Sequence, residues 1–389
     1  MTAVVSLLLI LSLPLLGVAV GGRSLEPYAE FPPTTRFVVH EPFSWSAFVG
    51  LAGLIALSAV PMLVRVFFPG RAGFKTSRDS FRSGDGLCVS FPWWGWVGLG
   101  WIVCAWILAW NRFEWLRPLQ ALTFTPLWLG YIVVVNALTF RRTGRCMMLY
   151  RPFYFASLFP LSAGFWWLFE YLNRYVQNWF YVGGGSMGPW EYVMQATIPF
   201  ATVLPAVLST AELLSAYPRL SSGLGDFIKL DLANQRSFSW ALLLIGCGGL
   251  FGIGLWPNYL FPLVWVAPLS LITALQGIRG ETTIFSGVRH GDWRVLWQAG
   301  LAALLSGFFW ELWNVRSLAH WEYAIPFVHR FQLFEMPALG YAGYMPFGLE
   351  CLAVADAFSA SKFSGGIEYY RAGEAGTDFA QRNPTVADR

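Results

Sequence analysis

Charge is scarce in this chain. Asp, Glu, Lys and Arg make up 12% of its 389 residues, against about 25% in an ordinary soluble domain. With 56% hydrophobic residues and a mean hydropathy of +0.50, the apolar surface exceeds what a water-soluble core can absorb, which excludes a soluble enzyme and a disordered chain. The net charge of +4 is small and scattered, too weak to form the basic stripe that grips a phosphate backbone, so no nucleic-acid partner is expected. Cysteine is thin as well. Cys88, Cys104, Cys146, Cys247 and Cys351 form an odd, dispersed set with neither a disulfide framework nor CxxC metal spacing. What is abundant is aromatic: 21 Trp, 33 Phe and 15 Tyr, 18% of all residues. The chain reads as a polytopic membrane protein.

A spanning helix needs about 20 mostly apolar residues. Ten stretches qualify, near 1–20, 44–68, 93–111, 121–140, 153–172, 196–216, 238–256, 259–277, 296–314 and 337–357. They predict an all-α transmembrane bundle of about ten helices. The gaps between them alternate in charge: 19 of the 26 Lys and Arg fall on one side and seven on the other. Short cytoplasmic loops are the ones enriched in these residues. The richer side, which includes the C-terminus, is therefore expected to face the cytoplasm, in a bacterial-type inner (plasma) membrane. Residues 1–22 lack a positive n-region and end in the small residues Gly17, Ala19 and Gly21; they read as a retained helix, with a cleaved signal peptide as the alternative. The tail, 358–389, is polar without an apolar period beyond Ser361 and is expected to be disordered.

Landmark spacing predicts an internal duplication. Pro126 is followed after 44 residues by Glu170, then after 29 by Pro199 and after 13 by Glu212. Pro268 is followed after 43 by Glu311, then after 26 by Pro337 and after 13 by Glu350. In both series a Glu-x-x-Asn (Glu170 with Asn173, Glu311 with Asn314) runs on to a Trp-x-Tyr (Trp179 with Tyr181, Trp321 with Tyr323). The expected organisation is a two-helix region, 1–92, and two four-helix repeats, 93–216 and 238–357. An even number of helices per repeat makes the copies parallel, with a twofold axis along the membrane normal and room for a central site.

Each Glu-x-x-Asn pair lies on one helix face. Ionisable groups within a bilayer are costly and mark function. Glu170 and Glu311, flanked by Trp166, Trp167, Trp310 and Trp313, are candidate proton donors. The plain alternative is a solvated Glu with Asn capping the helix C-terminus. Glu212 and Glu350, each about 20 Å below a helix-starting proline (Pro199, Pro337), suit a structural role, pairing with loop cations such as Arg145 or Arg279. His320, Glu322, His329, Glu335, His40 and Glu41 share one side but lack a metal-ligand spacing, so neither metal nor cofactor is assigned. Thirteen of the 21 Trp, Trp265 among them, fall in the outer half. A plain interfacial belt would fill both interfaces, so this excess predicts an aromatic chamber open to the outer leaflet. Gly340 and Gly343 make the last helix Gly-rich at its start, as where backbone lines a cavity or packs closely.

In order and spacing, WELWN (310–314), Trp321 with Tyr323, and FEMP (334–337) leading to Glu350 resemble the membrane-embedded lycopene cyclases of the small, often heterodimeric type. LFEYLN, Trp179 with Tyr181, and Ile198 with Pro199 leading to Glu212 resemble the same pattern. The resemblance implies a duplicated architecture and a carotenoid or other polyisoprenoid substrate. Two departures stand out. Ala338 and Leu339 follow Pro337 where the family has a Glu pair, and Asn replaces Asp in both copies. A cyclase-like reaction would then draw its acid from Glu311, Glu335 or Glu170, with Asn314 and Asn173 beside them. Trp310, Trp313, Trp321, Tyr323, Trp166, Trp167, Trp179 and Tyr181 would bind substrate. The competing expectations are a lipid- or pigment-binding or assembly protein, and a solute transporter. The partners expected are membrane lipid or a long apolar ligand, with homo- or hetero-oligomers left open.

Overall fold

The computed structural model describes residues 2–68, 89–185, 187–230 and 235–362; of the expected disordered tail, 358–389, residues 358–362 instead continue the last helix and the rest lies outside the described residues. The longer helices are α1 (Thr2–Val20), α2 (Trp45–Phe67), α3 (Trp93–Trp110), α4 (Phe124–Thr143), α5 (Pro152–Val176), α6 (Pro189–Phe200), α7 (Val203–Ser215), α8 (Gln235–Leu255), α9 (Ala267–Ile278), α10 (Arg294–Asn314) and α11 (Tyr344–Lys362). Among the described residues, seven segments are long and apolar enough to cross a membrane: α1 to α4, residues 189–215 (α6 with α7), α8 and α10. The turns of Pro257–Trp265 and α9, bent by 53°, make an eighth if counted as one span. Helices α5 and α11, which are not among these seven, occupy the two remaining expected stretches.

Local signals explain the boundaries. Ser44 caps α2 by accepting the Ala47 amide. Gly144 ends α4 in the left-handed conformation, and Gln177 does so for α5. The last helix starts later than the apolar run suggests, because Met336–Pro337 pairs as a strand with Gln332–Leu333 and Ala338–Gly343 form a 3₁₀ turn before Tyr344.

The helices pack on one another within residues 93–216, here the first unit, and within 238–357, the second. In the first, α3 lies on α4, α4 on α7, and α5 on both α6 and α7; in the second, α8 lies on α9, α9 on α11, and α10 on α11. The units meet where α7 runs along α10. Helix α1 packs on α8 and α9 of the second unit, and the approach is closest at Gly17 and Gly254. A Cβ on Gly17 would strike the Phe251 carbonyl, and one on Gly254 the Pro14 carbonyl. Helix α2 lies at the edge of the bundle with none of its residues buried, touching residues 222–224 and 338–343.

Both Trp-x-Tyr loops are short strands, β1 (Trp179–Val182) and β2 (His320–Tyr323), paired antiparallel. Their register sets Trp179 opposite Tyr323, Phe180 opposite Glu322, and Tyr181 opposite Trp321. Alternation puts the two Trp and two Tyr rings on one face of this ribbon. Gly183, at φ +74°, lets the chain leave β1 against the Leu318 carbonyl, where any side chain would collide.

Candidate functional site

Asn173 and Asn314 hold the ribbon to the helix ends. Asn314 Nδ2 donates to the Trp321 carbonyl at 2.7 Å, and its Oδ1 accepts the Trp321 amide at 2.8 Å. Asn173 Nδ2 donates to the Trp179 carbonyl at 2.7 Å, while its Oδ1 accepts the amides of Asn178 and Trp179 at 2.8 and 3.4 Å. Each side chain thus meets both a donor and an acceptor of the strand backbone. An Asp would place a second acceptor against a carbonyl, which accounts for Asn at both positions.

Three residues before each of these clamps sits a carboxylate, Glu170 and Glu311, both fully buried. Glu170 Oε1 accepts from Trp166 Nε1 at 2.9 Å, Trp179 Nε1 at 3.1 Å and Tyr181 Oη at 2.6 Å. Glu311 Oε1 accepts from Tyr323 Oη and Tyr344 Oη, each at 2.7 Å, and Trp321 Nε1 in turn donates to Tyr323 Oη at 2.8 Å. In both residues Oε2 has no hydrogen-bond partner among the described residues. Burial and the neighbouring Glu170 carboxylate push the Tyr181 hydroxyl well above the usual phenol range; burial and Glu311 do the same for Tyr323. These hydroxyls remain protonated donors at any physiological pH.

The two halves supply donors differently. Trp166 stands one turn before Glu170; the residue at the same place before Glu311 is Gly307. Across from it, Ala206 of α7 corresponds to Tyr344 of α11, counted from Pro199 and Pro337. A Cβ on Gly307 would touch the Tyr344 ring. Large and small have changed places, and each carboxylate keeps a donor from the exchanged pair.

The rings tethered in this way wall a cavity of about 580 Å³, within the roughly 300–1,000 Å³ typical of ligand pockets. Of the aromatic residues expected to bind substrate, Trp166, Trp179, Tyr181, Trp310, Trp321 and Tyr323 border it; Trp167 and Trp313 do not. Trp313 is buried against Trp106 and Trp128, and Trp167 donates to Thr197 Oγ1 at 3.0 Å beside a second hollow. Glu170 and Glu311 stand behind the ring wall, outside the lining. Glu335 lies in the turn between Leu333 and Met336, partly exposed; it is not in the cavity lining, although its neighbour Met336 is. Pro199 borders the cavity at the end of α6; Pro337 sits in the hairpin.

Sequence reasoning counted Trp265 among the outer-half Trp of the expected chamber but missed Tyr344 and Phe347, which line the cavity with it. Trp265 stacks between Phe169 and Trp179 at 5.0 and 5.7 Å, and Phe347 touches Trp166 and Trp310 at 5.7 and 6.2 Å. Only the spacing of Tyr344, Phe347 and Glu350 along one helix could have pointed to the last two. A segment between α1 and α2 covers the mouth: Arg174 donates to the carbonyls of Pro27, Tyr28 and Glu30, and Thr35 Oγ1 to that of Trp179.

The other ionisable residues are engaged elsewhere. Glu212 Oε2 accepts the Met147 amide at 2.9 Å. Arg279 binds Glu281 at 2.9 Å and Thr2 Oγ1, and Glu350 is buried on α11. His320 faces Glu322 at 3.6 Å, His329 contacts Gln332, and His40 bridges Asn258 and the Gln177 carbonyl. Among the described residues no three His, Cys, Asp or Glu side chains are grouped as a metal would need. Set beside known proteins, the chain matches no family model, no curated protein and no solved structure.

Proposed function

We propose that this integral membrane protein holds a long apolar molecule, of the polyisoprenoid or carotenoid class, in the aromatic cavity. The observation that carries the reading is the wall itself. Six rings from both halves border one space; Trp166, Trp179, Tyr181 and Tyr323 donate directly to the two buried carboxylates, and Trp321 donates to Tyr323 Oη, so most of the polar atoms of this wall are already satisfied within it. Ring faces suit flat, conjugated or cationic partners. In this reading Glu170 and Glu311 position the wall. The isologous register of β1 and β2, with Phe180 opposite its counterpart Glu322, supports two parallel repeats about a twofold axis. The 19-to-seven division of cations supports a cytoplasmic C-terminus, with the cavity on the outer side.

A second reading is catalytic: acid-assisted ring closure of a polyisoprenoid, as in the cyclases the sequence resembles. It is favoured by the uncommitted Oε2 of both Glu residues and by the Tyr323–Glu311 and Tyr181–Glu170 hydrogen bonds, which link two cavity-lining tyrosines to the buried carboxyl groups. One experiment separates the two. The protein is produced in a lycopene-making host and purified in gentle detergent, and its pigments are extracted. Unaltered polyene bound to the protein, lost in Trp310→Ala, is the expected result. A new cyclic product that vanishes in Glu311→Gln would establish the catalytic reading. Protein free of any apolar molecule would remove both.

A further inference from the structure

Away from the cavity, α1, α9 and α11 pack on one another. Each carries a polar side chain at least nine-tenths buried with an oxygen that has no hydrogen-bond partner among the described residues: Ser6 Oγ, Thr273 Oγ1, Gln276 Oε1 and Glu350 Oε2. Two hydrogen bonds fix their relative heights. Arg279 Nη1 donates to Thr2 Oγ1 at 2.9 Å, joining the end of α9 to the start of α1; Gln276 Nε2 donates to Asp356 Oδ2 at 3.4 Å, joining α9 to α11. At about 1.5 Å per residue, Ser6 stands about 6 Å above Thr2, Thr273 about 4.5 Å above Gln276, and Glu350 about 9 Å above Asp356. One turn further along α11, Phe347 borders the cavity, and one turn beyond that Tyr344 donates to Glu311. The orphan oxygens therefore form a file that rises from the Arg279 end of the bundle and stops just below the cavity.

The matching carboxylate of the first half differs. Glu212 receives the Met147 amide, and Arg279, the cation nearest in sequence logic to Glu350, is taken by Glu281 and Thr2. Within a bilayer an unpaired polar group finds no lipid partner. Water is the usual guest where several polar atoms face a buried space, and gaps of roughly one helical turn are what one or two waters bridge.

We propose that this file is hydrated and that Glu350, at its head, is a proton-binding site loaded from the Arg279 end. Hydronium there gives a proton to the first water of the file, the water beside Glu350 gives one to Oε2, and the carboxylate becomes a neutral acid. The reverse steps release it. The titratable and charged groups on the packed elements are Tyr344, Cys351, Asp356 and Lys362 on α11, Tyr341 in the turn before it, Glu212 on α7, Arg294 and Glu311 on α10, and Arg279 after α9; α1 carries none. The site is independent of what the cavity holds.

Infrared spectroscopy of the protein in lipid nanodiscs tests this. A carboxylic-acid carbonyl band is expected in the native protein, absent in Glu350→Gln and displaced in Glu350→Asp. On transfer to heavy water it should shift within the mixing time. In Thr273→Val with Gln276→Leu, which makes the file apolar, the shift should be at least about tenfold slower, as when water is displaced from a lined space. Absence of the band at every pH overturns the proposal. So does a band unmoved by heavy water, or equal exchange in the apolar variant. Loss of the band on adding sodium at fixed pH would assign the site to a metal cation instead. Should Glu350→Gln fail to fold, as judged by circular dichroism, the Asp variant carries the assignment.

Discussion

Glu170 and Glu311 are bound by donors that the two halves deliver from different places. Trp166 reaches Glu170 from its own helix; Tyr344 reaches Glu311 from the neighbouring helix across the space left by Gly307. This exchange makes a specific prediction about coupling. Tyr344→Ala removes a donor from a buried carboxylate and leaves a void, and should lower stability by about 3 kcal/mol or more. Gly307→Trp overfills the site against Tyr344 and should cost about 1–3 kcal/mol. Together they rebuild the arrangement of the first half, so the double variant should be more stable than the sum of the single losses by about 1 kcal/mol or more. Unfolding in detergent measures all four species. Strict additivity would show that the exchanged pairs are not equivalent. The sequence displayed the two Glu-x-x-Asn pairs but not this arrangement, because a hydrogen bond from Tyr344 to Glu311 spans 33 positions and leaves no local pattern. Nor did it show that Glu335 stands in a two-residue turn beside the cavity-lining Met336, since that turn depends on the pairing of Leu333 with Met336.

At the scale of elements, apolar runs gave away the helices, since length and hydropathy are what a bilayer selects. The strands were hidden. Four residues are too few for a visible alternation, and β1 and β2 exist because each finds the other across 140 residues of chain and is clamped by an Asn. What joins α1 to the bundle was half visible: Gly17 was noted as a small residue near a cleavage-like end, whereas its partner Gly254 gave no sign. Their contact bears on whether α1 belongs to the folded protein. Tyr171 Oη also donates to the Leu11 carbonyl, and Arg279 to Thr2 Oγ1. Gly254→Leu should therefore force α1 from α8 and lower the melting temperature, with a loss of about 1–3 kcal/mol, while Gly248→Leu, on the same helix with open space around it, should change little. Equal effects, or none, would mean that α1 contributes no stability.

For the whole molecule, the two units meet where α7 runs along α10 and touches α11, where α5 touches α8, and where β1 pairs with β2, while α1 packs on α8 and α9 of the second. The cavity draws its wall from both units, with Trp166, Trp179 and Tyr181 from one and Trp310, Trp321 and Tyr323 from the other. Neither unit alone can close it. If the duplication reflects two units that pack as partners, the connecting peptide between Leu230 and Gln235 supplies effective concentration and little else. Cutting the gene there and producing residues 1–230 and 235–389 as separate chains should yield a complex, recovered through an affinity tag on either half. It should hold the same apolar ligand as the intact protein. Each half made alone should aggregate or be degraded, since it would expose the ring wall and, in the case of the second, the face of α8 that α1 covers. Stable, ligand-free halves that ignore each other would show that the peptide link, rather than the interface, creates the cavity. The predicted association distinguishes a chamber formed by pairing of repeats from one formed within a single unit. It does so without knowing the ligand in advance.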